Sequence, residues 1–161
     1  MTNQTIKPTG CCEPFNPEPW QDKEIIWKDK IFVKDRITSF FHIPLNFGGK
    51  VVKNMKLIET AKAESEHQLM LTDENSFWGA DIYIDVSKEV PGAQMAALSG
   101  TFLTKVFEGL YRNTGKWANE MKEHVKNKDK ELKKMYFSYT TCPKCAKAYG
   151  KNYVVLFAQI N

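Results

Sequence analysis

The sequence predicts an α+β fold: duplicated β-α-β-β units forming one antiparallel sheet, with two helices on one face and a central cleft on the other. Three observations carry this expectation. Runs of β-branched and aromatic residues read as strands. Two segments place apolar residues at helical spacing. A weak internal repeat sets the two groups of elements in register.

Residues 1–22 carry Pro8, Pro14, Pro17 and Pro19, a spacing that forbids a helix and predicts an extended arm. Phe15 and Trp20 lie in this arm, and buriable aromatics predict that it packs on the rest of the chain. The expected organisation is an arm over 1–24 and one domain over 25–161. Ile25-Ile26-Trp27 and Ile31-Phe32-Val33 flank Lys28-Asp29-Lys30 and predict a hairpin. Ile37–Ile43 reads as a strand stopped by Pro44. A helix is expected over Lys50–Ala63, with Val51, Met55 and Ile58 as its buried stripe.

Gln68–Thr72 and Ala80–Val86 are the next two strands, joined through the turn-forming Asp73-Glu74-Asn75-Ser76. In the second, Ile82, Ile84 and Val86 alternate with Asp81, Tyr83 and Asp85, the pattern of a half-buried strand. Met95–Phe107 holds one or two strands, interrupted at Ser99-Gly100. The second helix is expected to start at Thr114 as N-cap and to bury Trp117, Met121 and Val125. Met135–Thr141 and Tyr153–Ile160 close the chain as strands around a cysteine-containing loop.

The composition fits an ordinary globular chain of 161 residues, 42% hydrophobic and 26% charged. A net charge of +4, mixed evenly with acids, argues against nucleic acid as a partner. Lys126–Lys134 is broken by Asp129 and Glu131 and reads as a solvated helix end. No apolar run approaches the roughly 18 residues of a membrane span, and MTNQTIKPTG lacks the apolar core of a signal peptide. The expected location is the cytoplasm, without membrane contact and with reduced thiols.

Shifting the chain by 66 residues lays Ser39–Met55 over Lys105–Met121, with Phe41/Phe107, Gly49/Gly115, Lys50/Lys116 and Met55/Met121 identical. In this register His42 and Glu108 are equivalent, each where a strand turns toward its helix, so both are expected to flank the cleft.

The segment FEGLYRNTGKW, after a strand and before a helix, and the closing strands MYFSYTT and NYVVLFAQI resemble the GyrI-like small-molecule-binding family over about Lys30–Asn161. The resemblance implies a duplicated fold with an aromatic-lined central pocket. Relatives serve as ligand sensors in multidrug regulators, as a gyrase inhibitor and as hydrolases of strained cyclopropane-bearing compounds. The chain departs from the pattern at Leu110, where proline is usual, and in the absence of an acid within Tyr153–Ile160. The family's pocket carboxylate is therefore unassigned, and Glu74, Asp81 or Glu108 would have to supply it.

Candidate ligand-binding residues are His42, Trp78, Tyr83, Tyr111, Phe137, Tyr139 and Tyr153, with Phe77 beside them. An aromatic-walled cleft takes flat, apolar or cationic molecules by stacking and cation–π contact, and the alternative for each is core packing. Glu108, at an apolar strand end, is the candidate catalytic acid/base, activating a water molecule; the alternative is a surface turn carboxylate. Cys142-Pro143-Lys144-Cys145 has metal-ligand spacing, and Cys11-Cys12 would complete a four-cysteine zinc site. Reversible disulfide formation, plain reduced thiols and a nucleophilic Cys142 are the alternatives. No other cofactor is expected. Three functions remain open: a stand-alone binder of apolar, aromatic or cationic molecules, a hydrolase of such compounds, and a protein-interaction module.

Overall fold

The computed structural model describes residues 16–40, 43–44, 47–65, 69–76, 78–109, 113–139 and 153–161. After a 3₁₀ turn at Glu18–Trp20 come strands β1 (Lys23–Phe40) and β2 (Ile43–Pro44), helix α1 (Phe47–Ala61), and strands β3 (Met70–Ser76), β4 (Gly79–Asp85) and β5 (Met95–Glu108). Helix α2 (Thr114–Asn127) and strands β6 (Lys134–Tyr139) and β7 (Tyr153–Gln159) complete the order. The strands hydrogen-bond in the sequence β2-β1-β4-β3-β6-β7-β5, and β1 also pairs with β5. Every pairing with a described register is antiparallel. The fold is therefore mixed α and β, as expected, with two helices and an antiparallel sheet. Among the described residues no helix is long and apolar enough to cross a membrane.

Three strands run through residues expected to turn, and β3 continues to Ser76 across the expected turn Asp73-Glu74-Asn75-Ser76. The hairpin expected at Lys28-Asp29-Lys30 does not form; β1 runs through it for 18 residues. Asp29 adopts a positive φ of 51°, and its N–H donates to Ser99 Oγ at 2.8 Å. Ser99-Gly100 likewise does not interrupt β5, which continues across Gly100 at φ 142°. Asp29 is absorbed because the Ser99 side chain on β5 satisfies its irregular backbone, and Gly100 because it lacks the Cβ that disfavours a positive φ.

The chain divides into two compact units. The α1 unit comprises Ile26–Thr101 and Tyr136–Ser138. In it β1 and β4 pair from Phe32↔Asp85 to Thr38↔Gly79, and β4 pairs with β3 from Met70↔Ile84 to Asp73↔Asp81. Side chains alternate across a strand. Val33, Ile37, Ala80, Ile82, Ile84 and Val86 therefore meet Ile58 of α1 in one buried cluster. The buried stripe of α1 differs from expectation: Ile58 and Asn54 are buried, whereas Met55 is exposed. The helix is turned toward Asn54 because its Nδ2 donates to Asp35 Oδ2 on β1 at 2.8 Å, a polar tether that an apolar pattern cannot reveal.

The α2 unit comprises Met1–Ile25, Phe102–Met135 and Tyr139–Asn161. Here β5 pairs with β7 from Phe102↔Gln159 to Glu108↔Tyr153. Trp117, Met121 and Val125 of α2 are buried as expected, with Trp117 stacked on Phe107 of β5. The N-cap is Asn113, one residue before the Thr114 expected, and it makes no side-chain capping bond. The end of the arm packs on this unit: Trp20 lies edge-on to Phe157, and its carbonyl accepts the hydroxyl of Thr104 at 2.6 Å.

Candidate functional site

The face of the α1 unit away from α1 carries the opposite residues of each strand. Asp81, Tyr83 and Asp85 point there from β4, in alternation with the core isoleucines. The register then sets a row across three strands: Arg36 on β1 is opposite Asp81 on β4, and Asp81 is opposite Asp73 on β3. Directly opposed residues place their Cβ atoms roughly 4.5–5.5 Å apart, so one cation and two carboxylates lie side by side.

This row runs from solvent into the protein. The Arg36 side chain is 53% exposed and that of Asp81 16%, whereas Asp73 is only 5% exposed. Arg36 Nη1 donates to Asp81 Oδ1 at 3.1 Å. Gly79 makes this placement possible, because a Cβ there would lie 2.8 Å from Arg36 Nη2 and 2.9 Å from the Ile37 carbonyl. The register between β3 and β4 shifts after Asp73, an irregularity of the kind that re-aims side chains near functional sites.

Aromatic groups border the row. Tyr83 is edge-on to Phe32 and to Tyr136 of β6, and Lys34 Nζ sits 5.6 Å from its ring centre. Trp78, which precedes Gly79 in the turn between β3 and β4, is 60% exposed. Of the aromatic residues expected to line a cleft, Tyr83 lies on this face but is only 5% exposed, whereas Trp78 is exposed in the turn before β4. Phe137 is opposite Thr72, which is itself opposite Ile82, so it faces α1. Tyr136 occupies the position on β6 that meets Tyr83. Tyr139 is half-buried at the end of β6, and half-buried Tyr153 is opposite Glu108, which is exposed at the end of β5. His42, Tyr111, Cys11, Cys12, Cys142 and Cys145 lie outside the described residues, as does Phe77. Among the described residues no group of three or more His, Cys, Asp or Glu side chains could hold a metal ion.

Arg36 and Asp73 were not identifiable from the sequence as parts of a site. The available signal was Asp81 itself: once it faces away from α1, its cross-strand neighbours follow from the register. Two further acids are structural. Asp85 is buried, takes the Lys30 ammonium at 3.0 Å and accepts the Ser65 hydroxyl. For Asp35, burial pushes the pKa up. Donation from Asn54 and from the Arg36 N–H, with the charge of Lys50, outweighs that and leaves it below the usual value of 3.8.

The α2 unit holds an open pocket of about 480 Å³. His124 lines it together with Asp22, Lys23, Glu24, Lys128 and Lys130. Burial lowers the His124 pKa below 6.5; Lys105 and Lys128 add to this and Asp22 opposes it. The walls are polar and charged, which suits a small charged ligand better than an aromatic one.

A protein-family model described as a bacterial hydrolase matches residues 2–160. The match spans nearly the whole sequence, and the chain belongs to this bacterial hydrolase family. No curated protein matches it.

Proposed function

We propose that this protein is a hydrolase of apolar or aromatic small molecules, working at the Arg36–Asp81–Asp73 row. One observation carries the reading: a carboxylate paired to an exposed guanidinium stands beside a second, buried carboxylate, on a sheet face that carries the buried pair Tyr83 and Tyr136. Family membership supports hydrolysis as the reaction class. In this mechanism Asp81 is the general base. It takes a proton from water as the water oxygen attacks an electrophilic carbon, and the proton then passes to the leaving atom as its bond to that carbon breaks. Arg36 orients the Asp81 carboxylate, and its positive charge stabilises the developing oxyanion. Asp73 holds the water on its second hydrogen. Trp78, 60% exposed, holds the body of the substrate by stacking.

The frame belongs, in this reading, to the GyrI-like type with two β-α-β-β copies. Its support is the strand order. Exchanging β1 with β5, β4 with β7 and β3 with β6 turns β1-β4-β3-β6-β7-β5 into its own reverse. Each proposed copy also pairs its first and last strands over seven residues, Phe32–Thr38 with Gly79–Asp85 and Phe102–Glu108 with Tyr153–Gln159. Glu108 remains the alternative base, since Tyr153 across the strand pair gives it a phenol neighbour. A second reading, a binder without turnover, rests on the same aromatic set.

The test is turnover of a panel of aromatic esters, lactones, epoxides and strained-ring compounds, followed by mass spectrometry on wild type, Asp81→Asn and Glu108→Gln. Incorporation of one oxygen from labelled water that is lost in Asp81→Asn alone supports the row. Loss in Glu108→Gln alone moves the base to β5. Saturable binding with no product from any compound favours the binder.

A further inference from the structure

We infer that the pocket beside His124 is a second site, separate in its residues from the Arg36–Asp81–Asp73 row, that binds a small oxyanion carrying one phosphate or carboxylate group. The first observation is a cationic wall held in place by the backbone. Helix α2 ends with Asp129 at φ 55°; the Lys130 N–H donates to the Val125 carbonyl at 3.2 Å and the Asp129 N–H to the Lys126 carbonyl at 3.0 Å. These two bonds close a Schellman motif around a left-handed residue. They occupy carbonyls that would otherwise repel an anion at a helix C-terminus. Lys128 and Lys130 flank that residue and both line the pocket, with Lys23 from the start of β1. Among the described residues none of these three lysines has a carboxylate partner within ion-pair distance.

The second observation is independent. His124 Nε2 is a buried nitrogen with no hydrogen-bond partner. Leaving such a group unsatisfied is costly; the His124 side chain lines the pocket, and a turn of the imidazole would bring Nε2–H to an oxyanion oxygen there. The aliphatic part of the lining comes from Leu103 and Ile160, enough to carry a short carbon skeleton. Asp22 and Glu24 also line the pocket. Three ammonium groups against two carboxylates leave a surplus of one positive charge, which suits a single anionic group and disfavours a polyphosphate or a nucleic acid backbone.

The experiment uses the full chain at low ionic strength, with inorganic phosphate and acetate as separate probes, and follows the His124 imidazole nitrogens by NMR at fixed pH. A saturable shift of His124 Nε2 is expected. A response to phosphate alone identifies a phosphoryl ligand, and one to acetate alone a carboxylate ligand. The double variant Lys128→Ala/Lys130→Ala should weaken binding by about tenfold or more through loss of charge-assisted bonds. Lys126→Ala, exposed on α2 but outside the pocket lining, should leave it unchanged. His124→Gln, which keeps a donor, should retain binding detectable by calorimetry. Absence of a saturable shift up to tens of millimolar of either probe, a range set by weak-binding arithmetic, overturns the inference. So does undiminished binding in a folded Lys128→Ala/Lys130→Ala variant.

Discussion

Asp73 and Asp81 occupy directly opposite positions on the antiparallel strands β3 and β4, one buried and the other joined to an exposed arginine. Like-charged residues directly opposite each other are ordinarily destabilising in a sheet. Their retention beside a register shift is consistent with the site proposed above.

Asp81→Asn is expected to lower turnover by about 10²–10⁴, the usual contribution of a positioned general base, while leaving the far-ultraviolet circular dichroism spectrum unchanged. Asp73→Asn should reduce kcat by less, because in the proposed mechanism Asp73 orients the water and takes no proton. Steady-state kinetics on the same substrate distinguish the two.

Gly79→Ala should damage stability and site together. The added Cβ meets Arg36 Nη2 and the Ile37 carbonyl at under 3 Å, and a strand carbonyl cannot retreat cheaply. A loss of about 1–3 kcal/mol in urea unfolding is expected from overpacking of this kind. Arg36→Lys, without the steric conflict, should keep stability and lose activity, because an ammonium lacks the planar fork.

Two apolar substitutions separate the covered from the open side of the helices. Met121→Ala empties a fully buried position on α2 and should cost about 2–5 kcal/mol. Val52→Ala, more than half exposed on α1, should stay within about 0.5 kcal/mol. Chemical denaturation midpoints decide both.

Acid should destabilise the protein in two separate windows. The folded pKa of His124 lies below 6.5, held down by burial first and by Lys105. As pH falls through 6.5 the unfolded chain takes up this proton before the native one does, so stability falls until the native imidazole protonates as well. His124→Gln should flatten that part of the profile. The folded pKa of Asp35 lies below 3.8, so its contribution is present above 3.8 and is lost as pH falls further. Asn54→Ala should weaken the second step and leave the first in place. Unfolding midpoints measured from pH 3 to 7.5 on the three proteins provide the comparison.

Local periodicity made much of the fold legible. The face of α2 with Trp117, Met121 and Val125 follows from helical spacing, and the alternation of Asp81, Tyr83 and Asp85 with Ile82 and Ile84 follows from the strand period. Errors arose where distant groups override a local signal. Asp29 reads as a turn residue until Ser99 is brought against it. Asn54 reads as solvent-facing until Asp35 binds it. The proposed site is legible only in part: the sequence offers Asp81 as one of three acids with Glu74 and Glu108 and favours Glu108, and it points to Trp78 and Tyr83, whereas Tyr136 is hidden by the more apolar Phe137 one residue on.

By itself, then, the sequence determined the order of strands and helices, the apolar side of α2 and of β4, and that Asp81 stands on the side opposite Ile82. Only the tertiary structure decided that Arg36 and Asp73 are its neighbours. Arg36 is 45 residues from Asp81, and nothing in local spacing relates them. Their meeting depends on the register of hydrogen bonds between β1, β4 and β3. A shift of one residue in that register would turn the row to the other face of the sheet.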